Sequence, residues 1–369
     1  MLALVLADKS FALRERSLLS RLEVGLADEG VRVVHAVPGT AIGHGASVPG
    51  LQSTIIPYEL PPIGWLARST RRANELLGAI ARADGQLPTI DVVHAFGEGC
   101  WSLAIAVANA CNAGVLLEVY RPDLVGAAVD LAQTLRRAQA PEFTTSEPAV
   151  AAELTRRAPR ARVYSAPWGV HGPSKVRNPP PADRPVSIAV LFDTAEAKAV
   201  SACLGGIVAA GPRLAESVIE IGLSDPTSSR ESRVWSAARR AGLLDRASIL
   251  PDMEARREPV LEMDLLLLPE ANGWERTIVL EAMACGMAVI AAHDPDLEII
   301  QDSTTAAVVR QSTPGAWATA IRALVENPGT LHALRASAHN HIRSHRTASS
   351  HVEAVLRAYR MAARPVAST

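Results

Sequence analysis

Residues 264–300 read DLLLLPEANGWERTIVLEAMACGMAVIAAHDPDLEII, and the order of side chains in this stretch decides the fold class. The apolar run 264–268 has the length of a buried strand, and the polar loop after it contains Asn272 and Gly273, which tolerate positive φ. A short helix then carries one carboxylate, Glu281, among the small residues Ala282, Ala284 and Gly286. A second apolar run, 287–291, leads into the acidic turn DPDLE. Strand, helix and strand joined by short loops make a parallel βαβ unit. Glu281 then lies where the carboxyl end of a strand meets a crevice, the place where open α/β sheets bind ligands.

The same alternation extends upstream. Runs 186–191, 217–221 and 247–250 are predicted strands separated by helix-length segments, completing a doubly wound sheet with the two above. The first half repeats the pattern. Strands are predicted at 2–6, 31–37, 91–95 (DVVHA), 114–119 and 162–164, with a further short run ended by Thr144 and Thr145. Helices are predicted at 15–29, 63–83 and 101–110. Between the halves, HGPSKVRNPPPADRP at 171–185 has proline runs that neither helices nor central strands accept. The expected division is therefore a first domain at 1–171, a linker at 172–185 and a second domain at 186–351. The tail is helical in pattern, first with Trp317, Ile321, Leu324 and Val325 on one face, then through Val352, Val355, Leu356 and Tyr359.

A length of 369 residues also asks for two cores, since single cores stop growing at roughly 250 to 300 residues. Hydrophobic residues make up 48% but aromatics only 4%, so the interior is built from Ala, Val, Leu and Ile, which suits buried parallel strands. With 37 basic and 38 acidic residues the chain has no overall field to draw nucleic acid or an anionic membrane. Cys100, Cys111, Cys203 and Cys285 are too far apart in sequence for a CxxC pair or metal cluster, which predicts reduced thiols and a cytoplasmic setting. The opening MLALVLA meets Asp8 and Lys9 too soon for a signal peptide and reads as the first strand. No HExxH, GxSxG, P-loop or nucleic-acid signature is present.

The segment ending in Glu281-Ala-Met-Ala-Cys-Gly resembles the nucleotide-sugar site of glycosyltransferase family 4, whose pattern is an acidic residue, seven others, then Glu-Ala-Met-Ala-x-Gly. The resemblance implies the GT-B fold: α/β, two doubly wound parallel-sheet, Rossmann-like domains facing across a cleft, with the last helix, 352–363, packing back on the first domain. It implies that Glu281 holds the donor ribose, and a carboxylate is the natural acceptor for two vicinal hydroxyls. A solvated glutamate favoured by its helix amino terminus is the plain alternative. Gly273 stands where the family has its first acid, and with Ala282 is assigned to the donor site; Glu275 or Glu270, rebuilt around Asn272 and Gly273, is the substitute acid, Glu275 being taken as catalytic. Lys198 falls on the family's diphosphate-binding Lys and Asp193 on its Arg, with Arg184 or Arg276 as compensating cations. His94 at the end of DVVHA corresponds to the strand whose second histidine, here Phe96, lies near the transferred sugar; it is read either as touching substrate or as a satisfied interior residue. Glu298 matches the Glu of a Gly-Gly-x-x-Glu turn in which Asp294 and Pro295 replace the glycines, and APWGVHGP resembles a Pro-Asn-Gly-Val-Asp turn with Trp168 and His171 at its polar positions.

The function implied is transfer of a sugar from a nucleotide diphosphate sugar to an unidentified glycan, lipid or small-molecule acceptor, with retained configuration and with neither metal nor cofactor. Two alternatives stay open: a GT-B partner or scaffold with weakened or no catalysis, suggested by Gly273, Asp193 and Phe96, and a sugar-nucleotide epimerase of the same architecture. Trp65, Arg68, Arg71 and Arg72 begin a basic amphipathic helix, read either as a peripheral membrane contact or as a solvated arginine face.

Overall fold

The structure is a computed structural model that describes residues 1–42, 54–59, 66–135, 140–177, 184–211, 214, 217–223, 230–250 and 256–363. It divides into two compact units, one of Met1–Trp168 with Ala348–Thr369 and one of Gly169–Thr347.

The first unit begins with β1 (Leu2–Ala7), whose six residues are all buried, as an unbroken apolar run requires when helices cover both faces of a sheet. Asp8 caps α1 (Lys9–Arg14), and α2 (Arg16–Asp28) follows directly, so the helix expected at 15–29 is the second of two, broken at Glu15. The chain continues through β2 (Arg32–Pro38), α3 (Gly39–Ile42), β3 (Thr54–Tyr58), α4 (Leu66–Asp84), β4 (Val92–Phe96), α5 (Trp101–Cys111), β5 (Gly114–Glu118), α6 (Val125–Thr134), β6 (Glu142–Thr145), α7 (Pro148–Arg157) and β7 (Val163–Ser165). Among the described residues these strands form one parallel seven-stranded sheet in the order β3-β2-β1-β4-β5-β6-β7. The reading of the sequence did not include β3, because Pro57 argues against a strand; it is accommodated because β3 lies at the sheet edge.

The second unit runs through β8 (Ser187–Phe192), α8 (Ala197–Ala209), β9 (Val218–Leu223), α9 (Arg230–Arg240), β10 (Ala247–Leu250), α10 (Arg257–Leu261), β11 (Leu265–Leu268), α11 (Thr277–Ala284), β12 (Ala288–Ala292), β13 (Ala307–Val309), α12 (Pro314–Val325) and α13 (Pro328–His345). Its parallel sheet has the order β10-β9-β8-β11-β12-β13, with β13, only three residues long, the other strand absent from the sequence reading. Gly206 lets α12 close on α8, since a Cβ there would fall 2.3 Å from that of Trp317, a fully buried core residue. Part of the expected linker is packed within this unit: Gly172 lies against Ala284 and Val176 against Gly286. Residues 178–183 of that linker lie outside the described residues.

The last helix, α14 (Ala348–Ala362), belongs to the first unit and starts four residues before the expected 352. Val352 fills the space beside Gly25 of α2, and the Ala362 carbonyl approaches Gly114 at the start of β5. No helix among the described residues is long and apolar enough to cross a membrane.

Candidate functional site

The winding of the six-stranded sheet reverses between β8 and β11, and the loops leaving the carboxyl ends of these strands flank the point where such sheets take ligands. Glu270, from the β11 loop, spans it. The amides of Asp193 and Thr194 donate to its Oε2 at 2.6 and 2.9 Å, while the amide of Glu196 and the hydroxyl of Thr194 donate to Oε1 at 2.9 and 2.5 Å. Asp193 is neutralised by Arg276, whose Nη1 lies 2.6 Å from Oδ1, and also accepts from Asn272. Gly273 adopts φ 66, and its amide donates to buried Asp294 at 2.8 Å. Asp294 therefore does for this loop what the glycines expected at its position would not: it fixes the backbone from across the sheet.

The other acids of the site are held by arginines. Glu281 sits on α11, all eight residues of which are buried, and Gly286 at φ 77 turns the chain from that helix into β12. A carboxylate in such a helix needs a partner. The partner is Arg257 of α10, whose Nε donates to Glu281 and whose Nη2 donates to the Thr277 hydroxyl at 3.1 Å. Glu281 remains 8% exposed, so its edge reaches solvent. Glu275 is 1% exposed and accepts from Arg346 at 2.9 Å; exposed Glu298 lies 3.5 Å from the same guanidinium. Ala282 is fully buried, and Lys198 is exposed on the first turn of α8. The pocket among Asp193, Glu270, Glu275, Arg276 and Asp294 is about 30 Å³, against the roughly 300 Å³ or more of a typical small-molecule pocket.

In the first unit the winding reverses between β1 and β4. A carboxylate spans this point as well: Asp8 accepts from the Phe11 amide at 2.8 Å and the Gly99 amide at 3.2 Å. Burial raises its pKa against the lowering effect of these bonds. Gly97, at φ 94, is needed beside it, because a Cβ would fall 2.2 Å from the carboxylate.

Two residues singled out from the sequence lie buried among protein partners. His94 is 0% exposed, with Nδ1 3.1 Å from the Tyr359 hydroxyl and Nε2 3.0 Å from that of Thr144. The Thr144 proton goes to Glu118, so its oxygen accepts from Nε2. Trp168 also donates to Glu118, at 2.9 Å, and His94 thereby pins β4 to β6 and α14. Glu275 likewise is buried and ion-paired with Arg346. Of the basic amphipathic helix, Trp65 and the side chain of Arg68 lie outside the described residues. Arg71 pairs with Glu75, and Arg72 with Glu59 and Glu75, an arrangement of a solvated face.

Arg257 and Arg346 were not singled out from the sequence. Each reads there as a surface residue of a helix, and nothing in its spacing points to Glu281 or Glu275, 24 and 71 residues away. The bidentate acceptor set of Glu270 was equally hidden, although the acid itself stood out in the loop.

Residues 215–327, which include α11 and Glu281, match the family model described as glycosyl transferases group 1. A stretch of the carboxy-terminal unit is thus similar to a glycosyltransferase group 1 domain, and the two-sheet architecture is the GT-B fold. Among solved structures, a glycosyltransferase from Rickettsia africae ESF-5 superposes with a TM-score of 0.69 at 13% identity, covering 98% of each chain. Anabaena Alr3699/HepE in complex with UDP and glucose gives 0.69 at 10% identity, covering 98% of this chain and 100% of that one. In sequence, the chain is 32% identical over 124 residues to the D-inositol 3-phosphate glycosyltransferase of Rhodococcus jostii (strain RHA1), a match covering 33% of this chain and 27% of that relative. The chain therefore spans little more than a quarter of that relative's length.

Proposed function

We propose that this chain is a glycosyltransferase of the family 4 type, moving a sugar from a nucleotide diphosphate sugar to an acceptor with retention and without a metal. The observation that carries this reading is Glu281, on a buried helix inside the group 1 segment, paired with Arg257 and still 8% exposed. A carboxylate has about four lone-pair sites and is the natural acceptor for the two vicinal hydroxyls of a ribose. The complex of UDP and glucose with Anabaena HepE, which shares the fold, supports a nucleotide sugar as donor. Arg257 beside Glu281 and Lys198 on the first turn of α8 supply cations for the diphosphate leaving group, whose growing charge is the largest demand on such a site. Gly273 brings its loop to the same mouth without supplying an acid, and Glu298, exposed beyond it, completes the donor side.

The test is calorimetric titration with uridine, guanosine and adenosine diphosphate sugars, followed by assay for released nucleoside diphosphate. One member of the panel is expected to bind and to be turned over, and Glu281→Ala to weaken its binding about tenfold or more. Binding unaffected by that change would end the assignment of Glu281 to the ribose. A second reading, a partner protein that has lost catalysis, is favoured by the pairing of Asp193, Glu275 and Glu281 with arginines and by the small enclosed volume. It predicts no turnover with any member of the panel.

A further inference from the structure

Backbone amides at the start of a helix that follows a parallel strand form a ready-made site for an oxyanion. In the second unit the amides of Asp193, Thr194 and Glu196 lie in the loop between β8 and Ala197, the first residue of α8, where Ala195 at φ 50 turns them toward one side as in a backbone nest. All three already donate to one carboxylate, and the Thr194 hydroxyl does too. That carboxylate comes from the opposite bank of the crevice, 74 to 77 residues along the chain. Glu270 thus has the geometry of a bound anion: both oxygens are used, and four donors converge on them from the other loop.

A second carboxylate does the same next door. Asp294, 5% exposed, takes the amide of Gly273, the one donor of the β11 loop freed by a positive φ. What space is left among these groups is about 30 Å³, enough for about one or two waters and far below what a diphosphate needs. Glu270 is not a helix cap, since it binds loop amides before Ala197; it crosses the switch point of the sheet and closes it.

We propose that Glu270 is an internal stand-in for the donor's diphosphate, an autoinhibitory contact that occupies the β8–α8 amides and must leave before a nucleotide diphosphate can use them. The proposal rests on the reading of this unit as a nucleotide-sugar site and adds its regulation. Displacement exchanges one anion for another at the same donors, so the plug lowers the affinity for the diphosphate and leaves the nucleoside end, held at Glu281, untouched. A ligand without phosphates has no reason to sense it.

The experiment compares the full chain with Glu270→Ala and Glu270→Gln in calorimetric titrations with UDP, GDP, ADP, uridine and inorganic pyrophosphate. Glu196→Gln serves as control, since it removes a charge from the same helix start with an exposed side chain that takes no part in the cradle. Glu270→Ala is expected to bind the preferred nucleoside diphosphate at least about tenfold more tightly than the unaltered chain, with nucleoside binding unchanged; Glu196→Gln should gain no more than about twofold. Equal diphosphate affinity for the unaltered chain and Glu270→Ala, weaker binding by the variant, or an equal gain from Glu196→Gln overturns the proposal. If Glu270→Ala does not fold, Glu270→Gln, which keeps the volume and loses the charge, is held to the same criteria. If no nucleoside or nucleotide binds to any form, the nucleotide-sugar reading itself fails. The plug is then judged by pyrophosphate alone: a gain in the Glu270 variants supports it and no gain refutes it.

Discussion

Glu23 of α2 and His35 of β2 face each other with Oε2 3.8 Å from Nδ1, both 6% exposed, and neither Glu23 Oε1 nor His35 Nε2 finds a hydrogen-bond partner among the described residues. Burial pushes the Glu23 carboxyl up to about 7 and the His35 imidazole down to about 4. The two groups act on stability in opposite senses. A carboxyl raised on folding contributes below its unfolded value and loses that contribution as pH climbs from about 4.5 to 7. An imidazole lowered on folding contributes above about 6.5 and loses it as pH falls toward 4. Their slopes offset each other between about 4.5 and 6.5. Glu23→Gln removes one of them, so the variant should equal the unaltered chain near pH 4.5 and exceed it by on the order of 2 kcal/mol at pH 8. Urea denaturation at several pH values checks this, and parallel curves would refute it. Nothing in the spacing of Glu23 and His35 foretold the contact; it needs α2 laid across β2.

At the scale of elements, glycines mark where one piece of the fold closes on another. A Cβ at Gly114 would fall 2.1 Å from the carbonyl oxygen of Ala362, a backbone atom that a side-chain rotation cannot move aside. Gly114→Ala should therefore lift the last turn of α14 from β5 and cost about 1 to 3 kcal/mol. Chemical denaturation gives the cost, and hydrogen exchange should show lost protection confined to that end of the helix. An unchanged midpoint would mean that the turn relaxes freely. The strands that periodicity exposes most plainly, such as the runs ending near Leu6 and Leu268, are central ones whose apolar residues are consecutive and buried. Thr54–Tyr58 escaped because it contains Pro57, which an edge position tolerates.

For the molecule as a whole, the first unit is discontinuous and depends on a segment that follows the second. Tyr359 is fully buried and reaches His94, while Val352, Val355 and Leu356 complete the same packing. A chain ended at Thr347 should keep slow amide exchange in β8 and β11 but lose it in β1 and β4, because a buried apolar face and one arm of the Glu118–Thr144–His94 network go with α14. Exchange measured on both forms decides it: equal protection of β1 in the shortened chain would show that α14 is dispensable.

The sequence by itself determined the α/β class, most of the strands and the helix that carries Glu281, because these follow from local periodicity and from residues a few positions apart. Only the tertiary structure decided the state of each candidate group. His94 became a pin, Glu275 an ion-paired acid and Glu270 a bridge because their partners lie 50 to 265, 71 and 74 to 77 residues away. A charge buried in a sheet protein takes whichever opposite group the packing brings within reach, and packing is a property of the whole chain.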